Sequence, residues 1–174
     1  DSTSSRGLGD VYKRQVSEQC LLYYKIPRES SISSFRIMST AKVTYKANLR
    51  TSCQHIKSGA TFITDAPTDN NGKGEAFSPT DTIATALGSC MLTVMGIKAN
   101  TMEDVSIDGA TALVTKTMAS NPRRISKIEI VFNFPTKLEL KTQKILENTG
   151  NTCPVHYSLH PDIEKVITYH WGDL

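Results

Sequence analysis

The sequence predicts an α+β fold in which mainly antiparallel sheets wrap around one long buried central helix, within an intertwined homodimer. A helical segment at residues 79–99 is apolar or small on every face. Strand-like stretches lie on both sides of it, without the regular strand–helix alternation of a parallel α/β fold. One sheet of a 174-residue chain can cover only one side of such a helix, so we expect a second subunit to cover the other.

Composition indicates one globular domain with ordinary proportions of hydrophobic (39%) and charged (21%) residues. The formal net charge is +3, and residues 1–37 contribute +2 of it through six basic and four acidic side chains. The rest of the chain is almost neutral and has no run of basic residues with interleaved aromatics. The sequence therefore argues against a nucleic-acid partner.

Residues 1–37 are predicted to be a non-domain N-terminal extension, disordered or foreign to the domain that spans residues 38–174. The opening residues are polar and show neither helical nor strand periodicity. The apolar run at residues 20–26 is too short for a secretory signal. A targeting or docking extension is the alternative.

Three extended segments are predicted before the helix, at residues 42–50, 51–56 and 60–65. The first alternates, with Val43, Tyr45, Ala47 and Leu49 on one face. A turn at residues 57–59 separates the second segment from the third. A Gly- and Asn-rich loop at residues 66–74 leads to the helix.

The central helix is predicted to begin after the N-cap Ser78, with Pro79 in the first position and Asp81 in the third. It continues to Ala99 and should be buried all round. Its length raises the question of a membrane span. Five Ser and Thr residues make it too polar for one, and no second span is available to pack against it, so we expect no membrane partner.

Two strands, two helices and a final strand are predicted after the central helix. A long strand at residues 105–118 and a strand at residues 125–134 form a hairpin around the turn at residues 119–122. The second strand places Ile128, Ile130, Phe132 and Phe134 on one face. An amphipathic helix at residues 138–148, with Leu138, Ile145 and Leu146 inward, is ended by Gly150. The last elements are a short helix that Cys153 opens and Pro161 ends, and a strand at residues 163–170.

The cysteines, at positions 20, 53, 90 and 153, form no CxxC or zinc-ribbon spacing, which indicates a reducing, cytoplasmic location. Most buried cysteines are inert core side chains, so a cysteine in mid-helix needs a partner and an activating group. Cys153 begins a helix, where backbone N–H groups lower the pKa of a thiol; a simple capping role is the alternative. His156 lies one turn further on and could form a Cys/His nucleophile pair or a metal site with Cys153, but we favour a partly exposed helix residue. His55, His160 and His170 lack ligand-spaced neighbours, so we expect no metal.

Two segments together resemble the OsmC/Ohr family of thiol-dependent peroxidases, in its OsmC-like branch. They are GKGEAFSPTDTIATALGSCMLTVMGIKA, at residues 72–99, and NTCPVHYSLHP, at residues 151–161. The resemblance extends over about residues 42–170. It implies a peroxidase of oxidative-stress defence that reduces organic hydroperoxides, with hydrogen peroxide as a further candidate substrate. It also implies that the site needs no cofactor beyond an external dithiol reductant, for which a lipoylated protein is one candidate.

The resemblance assigns four site residues. Cys90 matches the peroxidatic cysteine, which becomes a sulfenic acid, and Cys153 matches the resolving cysteine, which forms a disulfide with it. Arg50 matches the arginine that keeps the first thiol ionised, and Glu75 matches the glutamate that orients this arginine. In the family these groups meet at the dimer interface. Without the resemblance, we would favour a solvated strand residue for Arg50 and a polar loop residue for Glu75 over these functional roles.

Two other functions remain open from the sequence. A non-catalytic dimer of the same fold could bind a hydrophobic small molecule, or disulfide formation could make the protein a redox sensor. The helix segment LGSCMLTVMG differs from the organic-hydroperoxide branch, so substrate preference does not carry over. Several apolar residues are predicted as core, some also lining a pocket for the alkyl group of a peroxide: Phe77, Ile83, Leu87, Met91 and Met95. We interpret Cys53 as a bystander near the site, and Arg123 and Arg124 as solvated.

Overall fold

The structure, a computed structural model, describes residues 39–172. It contains β1 (Ala41–Tyr45), β2 (Arg50–His55), β3 (Thr61–Asp65), a one-turn 3-10 helix (Thr68–Asn70), α1 (Pro79–Ala99), β4 (Thr111–Ser120), β5 (Arg123–Phe134), α2 (Leu140–Asn151), α3 (Pro154–Ser158) and β6 (Glu164–Trp171). The strands form two three-stranded sheets, in the orders β1-β2-β3 and β4-β5-β6. The predicted extension at residues 1–37, including Cys20, lies outside the described residues.

The chain divides into two compact units. Of the described residues, the smaller contains 39–43 together with Gln54–Thr61. Within it the predicted turn at residues 57–59 is confirmed: the N–H of His55 donates to the carbonyl of Ala60 at 2.8 Å, and Gly59 has a φ of 73°. The larger unit contains Thr44–Cys53 and the chain from Phe62 onward, and all four candidate site residues belong to it.

The prediction of one continuous strand over residues 42–50 is wrong. β1 ends at Tyr45, and a turn follows in which Ala47, Asn48 and Leu49 have φ values of 68°, 52° and 61°. The N–H of Lys46 donates to the carbonyl of Arg50 at 2.8 Å across this turn. The alternation of apolar residues in the sequence continues through this turn, so the pattern gave no sign that the strand ends at Tyr45. The consequence for the site is that Arg50 lies at the first position of a new strand.

The start of α1 is confirmed in detail. The Ser78 side chain accepts a hydrogen bond from the N–H of Asp81 at 3.1 Å, and the Asp81 carboxylate accepts one from the N–H of Ser78 at 2.7 Å. This reciprocal capping satisfies two of the N–H groups that a helix start leaves free. Lys116 of β4 forms an ion pair with Asp81 at 2.6 Å. The first turn of α1 is thereby attached to the second sheet.

Burial of α1 on every face is not observed in the single chain. Its buried residues form one stripe: Ala84, Leu87, Gly88, Met91, Met95 and Ala99. On the opposite side Ile83 and Ile97 are 46% and 63% exposed. One chain covers only the face of α1 that packs on β4, β5, α2 and α3. Among the described residues, α1 is the one helix long and apolar enough to cross a membrane, with a mean hydropathy of 1.4, as core helices of globular proteins also can be.

The second sheet differs from the prediction in two respects. β4 begins at Thr111 instead of residue 105, because Gly109 has a φ of 80° and a turn closes between Ile107 and Ala110. β4 and β5 are antiparallel, whereas β5 and β6 are parallel. The two helices between β5 and β6 form the crossover that parallel pairing requires, a point that the expectation of mainly antiparallel sheets missed. The shared face of β5 is confirmed, since Ile128, Ile130, Phe132 and Phe134 are at most 1% exposed.

The helix α2 begins two residues later than predicted and continues past Gly150 to Asn151. Gly150 therefore does not end it. A Cβ atom on Gly150 would lie 3.0 Å from the Met95 sulfur, so this glycine allows α2 to approach α1 closely. Leu146 is fully buried, as predicted. Cys153 and Pro154 open α3 as expected, but α3 ends at Ser158.

Candidate functional site

The first part of the candidate site is a pair of thiols on neighbouring helices. Cys90 lies in the middle of α1, and Cys153 is the N-cap of α3, which packs against α1. Cys153 is fully buried, whereas Cys90 is partly exposed and packs against the buried cluster that includes Cys153. Both are free thiols, and the Cys90 side chain is close enough to raise the pKa of Cys153.

The expected lowering of the Cys153 pKa is not observed. The backbone N–H of His156 does donate to the Cys153 sulfur at 3.3 Å, and this contact favours the thiolate. Burial acts in the opposite direction and is the larger influence, so the pKa of Cys153 lies above its ordinary value of 9.0. Cys153 is therefore a protonated thiol at neutral pH.

The second part of the candidate site is an arginine between two carboxylates. The Nη2 atom of Arg50 lies 2.6 Å from a carboxylate oxygen of Glu75 and 2.8 Å from one of Asp65. The side chains of Arg50, Asp65 and Glu75 are 30%, 1% and 59% exposed. The N–H of Glu75 also donates to Asp65 at 3.2 Å, so Asp65 holds both the cation and the backbone of the loop that follows β3.

Sequence reasoning did not identify Asp65. Alternation along β3 gives no sign that Asp65 is buried, because Ile63, two residues earlier on the strand, is 45% exposed. Its contacts have the expected electrostatic effect. The hydrogen bond from Arg50 lowers the pKa of Asp65, and the hydrogen bonds to Asp65 and Glu75 raise the pKa of Arg50.

The two parts of the site have no side-chain hydrogen bond or ion pair between them among residues 39–172. Among residues 39–172, the side-chain hydrogen bonds and ion pairs of Arg50 reach Asp65 and Glu75, and none reaches Cys90 or Cys153. The structure thus brings Arg50 together with Glu75, and Cys90 together with Cys153, but does not unite the pairs in a single chain.

The remaining candidates have simpler surroundings. Cys53 is partly exposed on β2, with its sulfur 3.9 Å from the Thr51 hydroxyl. The ring of His156 packs edge-on against Tyr157, and burial lowers the pKa of His156. Arg123 is exposed and pairs with Asp69 at 3.1 Å. Within residues 39–172, no three His, Cys, Asp or Glu side chains are grouped as a metal site.

The predicted core residues divide into two sets. Leu87, Met91 and Met95 are fully buried, whereas Phe77 and Ile83 are 60% and 46% exposed in the single chain, so a core position is not observed for these two within one chain. Phe77 instead lines an open, largely apolar groove of about 310 Å³ along α1. The groove is formed by Phe62, Phe77, Thr82, Thr85, Ala86 and Ser89. Its lining includes Ser89, which precedes Cys90 in the sequence.

The two three-stranded sheets, the long helix α1 and the pair of free thiols define a class of α+β proteins with two neighbouring cysteines. Comparison with known proteins identifies the family within this class. The model of the OsmC-like protein family matches residues 72–167, so the chain belongs to the OsmC-like family. A protein of Psychrobacter arcticus 273-4, assigned to osmotic stress induction and the detoxification response, is 57% identical. The match covers 76% of this chain and 96% of that chain, with a TM-score of 0.74. A search of curated proteins found no match.

Two more distant structures share the fold. An organic hydroperoxide resistance protein OsmC from Legionella pneumophila is 15% identical, with a TM-score of 0.60 over 75% of this chain and 94% of that chain. An organic hydroperoxide resistance protein of Vibrio cholerae O1, with captopril bound in one of its active sites, is also 15% identical. Its TM-score is 0.60 over 79% of this chain and 94% of that chain.

Proposed function

We propose that the protein is a thiol-dependent peroxidase that reduces organic hydroperoxides, with hydrogen peroxide as a second substrate, in the oxidative-stress defence of a reducing cytoplasm. The observation that carries this proposal is the pair of free thiols, one partly exposed and one buried beside it. Two structures of the same fold carry the name organic hydroperoxide resistance protein, which agrees with this reaction.

The reaction follows from the different exposure of the two thiols. The Cys90 thiolate attacks the distal oxygen of the hydroperoxide, so that an S–O bond forms, the O–O bond breaks, and the alkoxide takes a proton and leaves as an alcohol. Cys90 is then a sulfenic acid. The Cys153 sulfur displaces its hydroxyl group as water, which forms the Cys90–Cys153 disulfide. An external dithiol, such as that of a lipoylated protein, reduces the disulfide, and no metal or bound cofactor takes part.

A homodimer supplies the activating cation in this proposal. The exposed side of α1 carries a second stripe with spacings of three and four residues: Ile83, Ala86, Cys90, Thr93 and Ile97. Such spacing suits helix–helix packing, and the exposure of Ile83 and Ile97 provides apolar surface for a second copy. Arg50 of one subunit then lies against Cys90 of the other, where its charge favours the thiolate.

The test uses the reduced protein and one equivalent of cumene hydroperoxide, with free thiols counted and the linkage identified by peptide mass spectrometry. We expect rapid loss of two thiols and a Cys90–Cys153 link. In the Cys153→Ser variant the reaction should stop when Cys90 has become a sulfenic acid. In the Cys90→Ser variant no thiol should be lost rapidly. Cys53→Ser is the matched control and should behave as the unchanged protein does. A free Cys90 after the reaction would rule out the peroxidase.

The apolar groove beside Phe62 and Phe77 favours a second candidate, a non-catalytic dimer that binds a hydrophobic small molecule. Dialysis against a fatty acid or alkylbenzene, with and without Phe77→Asp, tests it. Saturable binding that Phe77→Asp abolishes, in a protein whose Cys90 does not react with hydroperoxide, would favour this candidate.

A further inference from the structure

Asp65 is a buried carboxylate that the reaction proposed above does not use. Its Oδ2 atom accepts hydrogen bonds from Arg50 at 2.8 Å and from the N–H of Glu75 at 3.2 Å. Its Oδ1 atom is also buried and has no hydrogen-bond partner among residues 39–172. Burial of a carboxylate is unfavourable unless it is paired, so a site with a spare acceptor atom indicates a specific role.

The two carboxylates on Arg50 differ in how easily they can release it. Glu75 is 59% exposed, so water can replace the guanidinium with little loss of stability. Asp65 is 1% exposed, and the loss of Arg50 would leave an unpaired charge in the protein interior. Asp65 is therefore the permanent partner of Arg50, and Glu75 is the exchangeable one.

The net charge of the cluster gives a reason for such an exchange. Arg50 with both carboxylates has a net charge of −1, which would repel a thiolate. Arg50 with Asp65 alone is a neutral ion pair that still has guanidinium N–H groups to donate. The spare Oδ1 atom of Asp65 can then accept a second guanidinium hydrogen bond, and the resulting two-bonded fork would fix the orientation of Arg50.

We propose that Asp65 is the positioning residue of Arg50. It holds the guanidinium throughout the reaction, while Glu75 gives way when Arg50 contacts the thiolate or the hydroperoxide. This inference rests on the function proposed above, in which Arg50 of one subunit activates Cys90 of the other. It differs from the role that the family resemblance assigns, in which the glutamate alone orients the arginine.

The experiment compares full-length Asp65→Asn, Glu75→Gln, Arg50→Ala and the Asp65→Asn/Arg50→Ala double variant. Peptide mass spectrometry follows the rate of Cys90 alkylation by iodoacetamide as a function of pH, and separately the rate of Cys90 oxidation by cumene hydroperoxide. The alkylation profile reports the thiolate whether or not the protein reduces peroxides. Thermal unfolding of every variant identifies any that fail to fold.

We expect Asp65→Asn to slow Cys90 oxidation at least about tenfold and to move the alkylation profile to higher pH, because a misoriented cation stabilises the thiolate less. Glu75→Gln should slow Cys90 oxidation clearly less than Asp65→Asn does, because an exposed ion pair contributes little. In the Arg50→Ala background, Asp65→Asn should cause no further change. If Asp65→Asn fails to fold, Asp65→Glu replaces it, because that variant keeps the charge and alters only its position.

Three results would overturn the positioning role. The first is an Asp65→Asn protein whose Cys90 reacts as fast as that of the unchanged protein. The second is that Asp65→Asn slows Cys90 oxidation by the same factor in the Arg50→Ala background as in the unchanged protein. The third is that Arg50→Ala leaves the pH profile of Cys90 alkylation unchanged. A different result would exclude the peroxidase proposal while leaving the positioning role of Asp65 intact. If Asp65→Asn and Arg50→Ala shift the alkylation profile but Cys90 never reacts with hydroperoxide, Asp65 keeps its role and the peroxidase is excluded.

Discussion

At the residue scale, two opposing influences act on the Cys153 thiol. The N–H of His156 favours the thiolate, while burial in the core favours the protonated form and dominates. With its pKa raised in this way, the Cys153 thiol is mostly protonated at neutral pH. Cys153 is therefore suited to the second step of the proposed reaction and poorly suited to the first.

The raised pKa of Cys153 predicts the pH dependence of disulfide formation. Below this pKa the thiolate fraction, and with it the resolving rate, should rise about tenfold per pH unit. We expect the rate to increase steadily from pH 7 to beyond the ordinary thiol value of 9.0. Quenched-flow alkylation after one equivalent of hydroperoxide measures it. Cys53→Ser should give the same profile, and a rate independent of pH over this range would contradict the assignment.

At the element scale, α1 contains two glycines that have different surroundings. A Cβ atom on Gly88 would lie 3.1 Å from the Val114 side chain, and the β-branched Val114 has little freedom to move away. A Cβ atom on Gly96 would meet its nearest neighbour, Ile107, at an ordinary 3.9 Å. Gly88 therefore permits close packing of α1 on β4, whereas Gly96 has no such function within the chain.

These contacts predict opposite effects for two matched substitutions. Gly96→Ala should raise the free energy of unfolding by about 0.5–1 kcal/mol, because alanine favours the helix. Gly88→Ala should lower the free energy of unfolding by about 1 kcal/mol. The added methyl group overpacks the contact with Val114, which costs about 1–3 kcal/mol and exceeds the stabilisation that alanine gives the helix. Urea denaturation of both variants provides the comparison. Equal stabilisation by both would show that β4 adjusts freely to α1.

At the scale of the whole molecule, α1 presents two apolar stripes and the chain covers only one of them. The second stripe includes Cys90, and the Arg50 cluster has no side-chain hydrogen bond or ion pair to either thiol within residues 39–172. A homodimer would account for both observations, because it would cover the second stripe and bring the arginine to the thiol.

The proposed dimer predicts the effect of a charge on the second stripe. Ile97→Asp should convert dimer to monomer and slow Cys90 oxidation at least about tenfold, because an unpaired carboxylate in an apolar interface is strongly unfavourable and Arg50 is then lost from the site. Sedimentation velocity and thiol oxidation measure the two effects. Leu140→Asp is the control, since Leu140 is 82% exposed on α2. A dimer that persists in Ile97→Asp would exclude this stripe as the interface.

The sequence alone determined the features that depend on neighbouring residues. Backbone capping and side-chain periodicity act within a few positions, so the start of α1 and the buried face of β5 could be predicted in detail. The two cysteine segments likewise indicated the family correctly. Where the same local pattern crossed a turn, as at residues 46–49, the prediction of a continuous strand was wrong.

Only the tertiary structure decided the features that depend on distant parts of the chain. Asp65 and Arg50 are 15 positions apart, and no local pattern indicates that the carboxylate turns inward to the guanidinium. The parallel pairing of β6 depends on where α2 and α3 return the chain. The direction of the Cys153 pKa shift depends on burial, which overrides the local effect of the helix start. These properties come from packing, which one-dimensional periodicity does not specify.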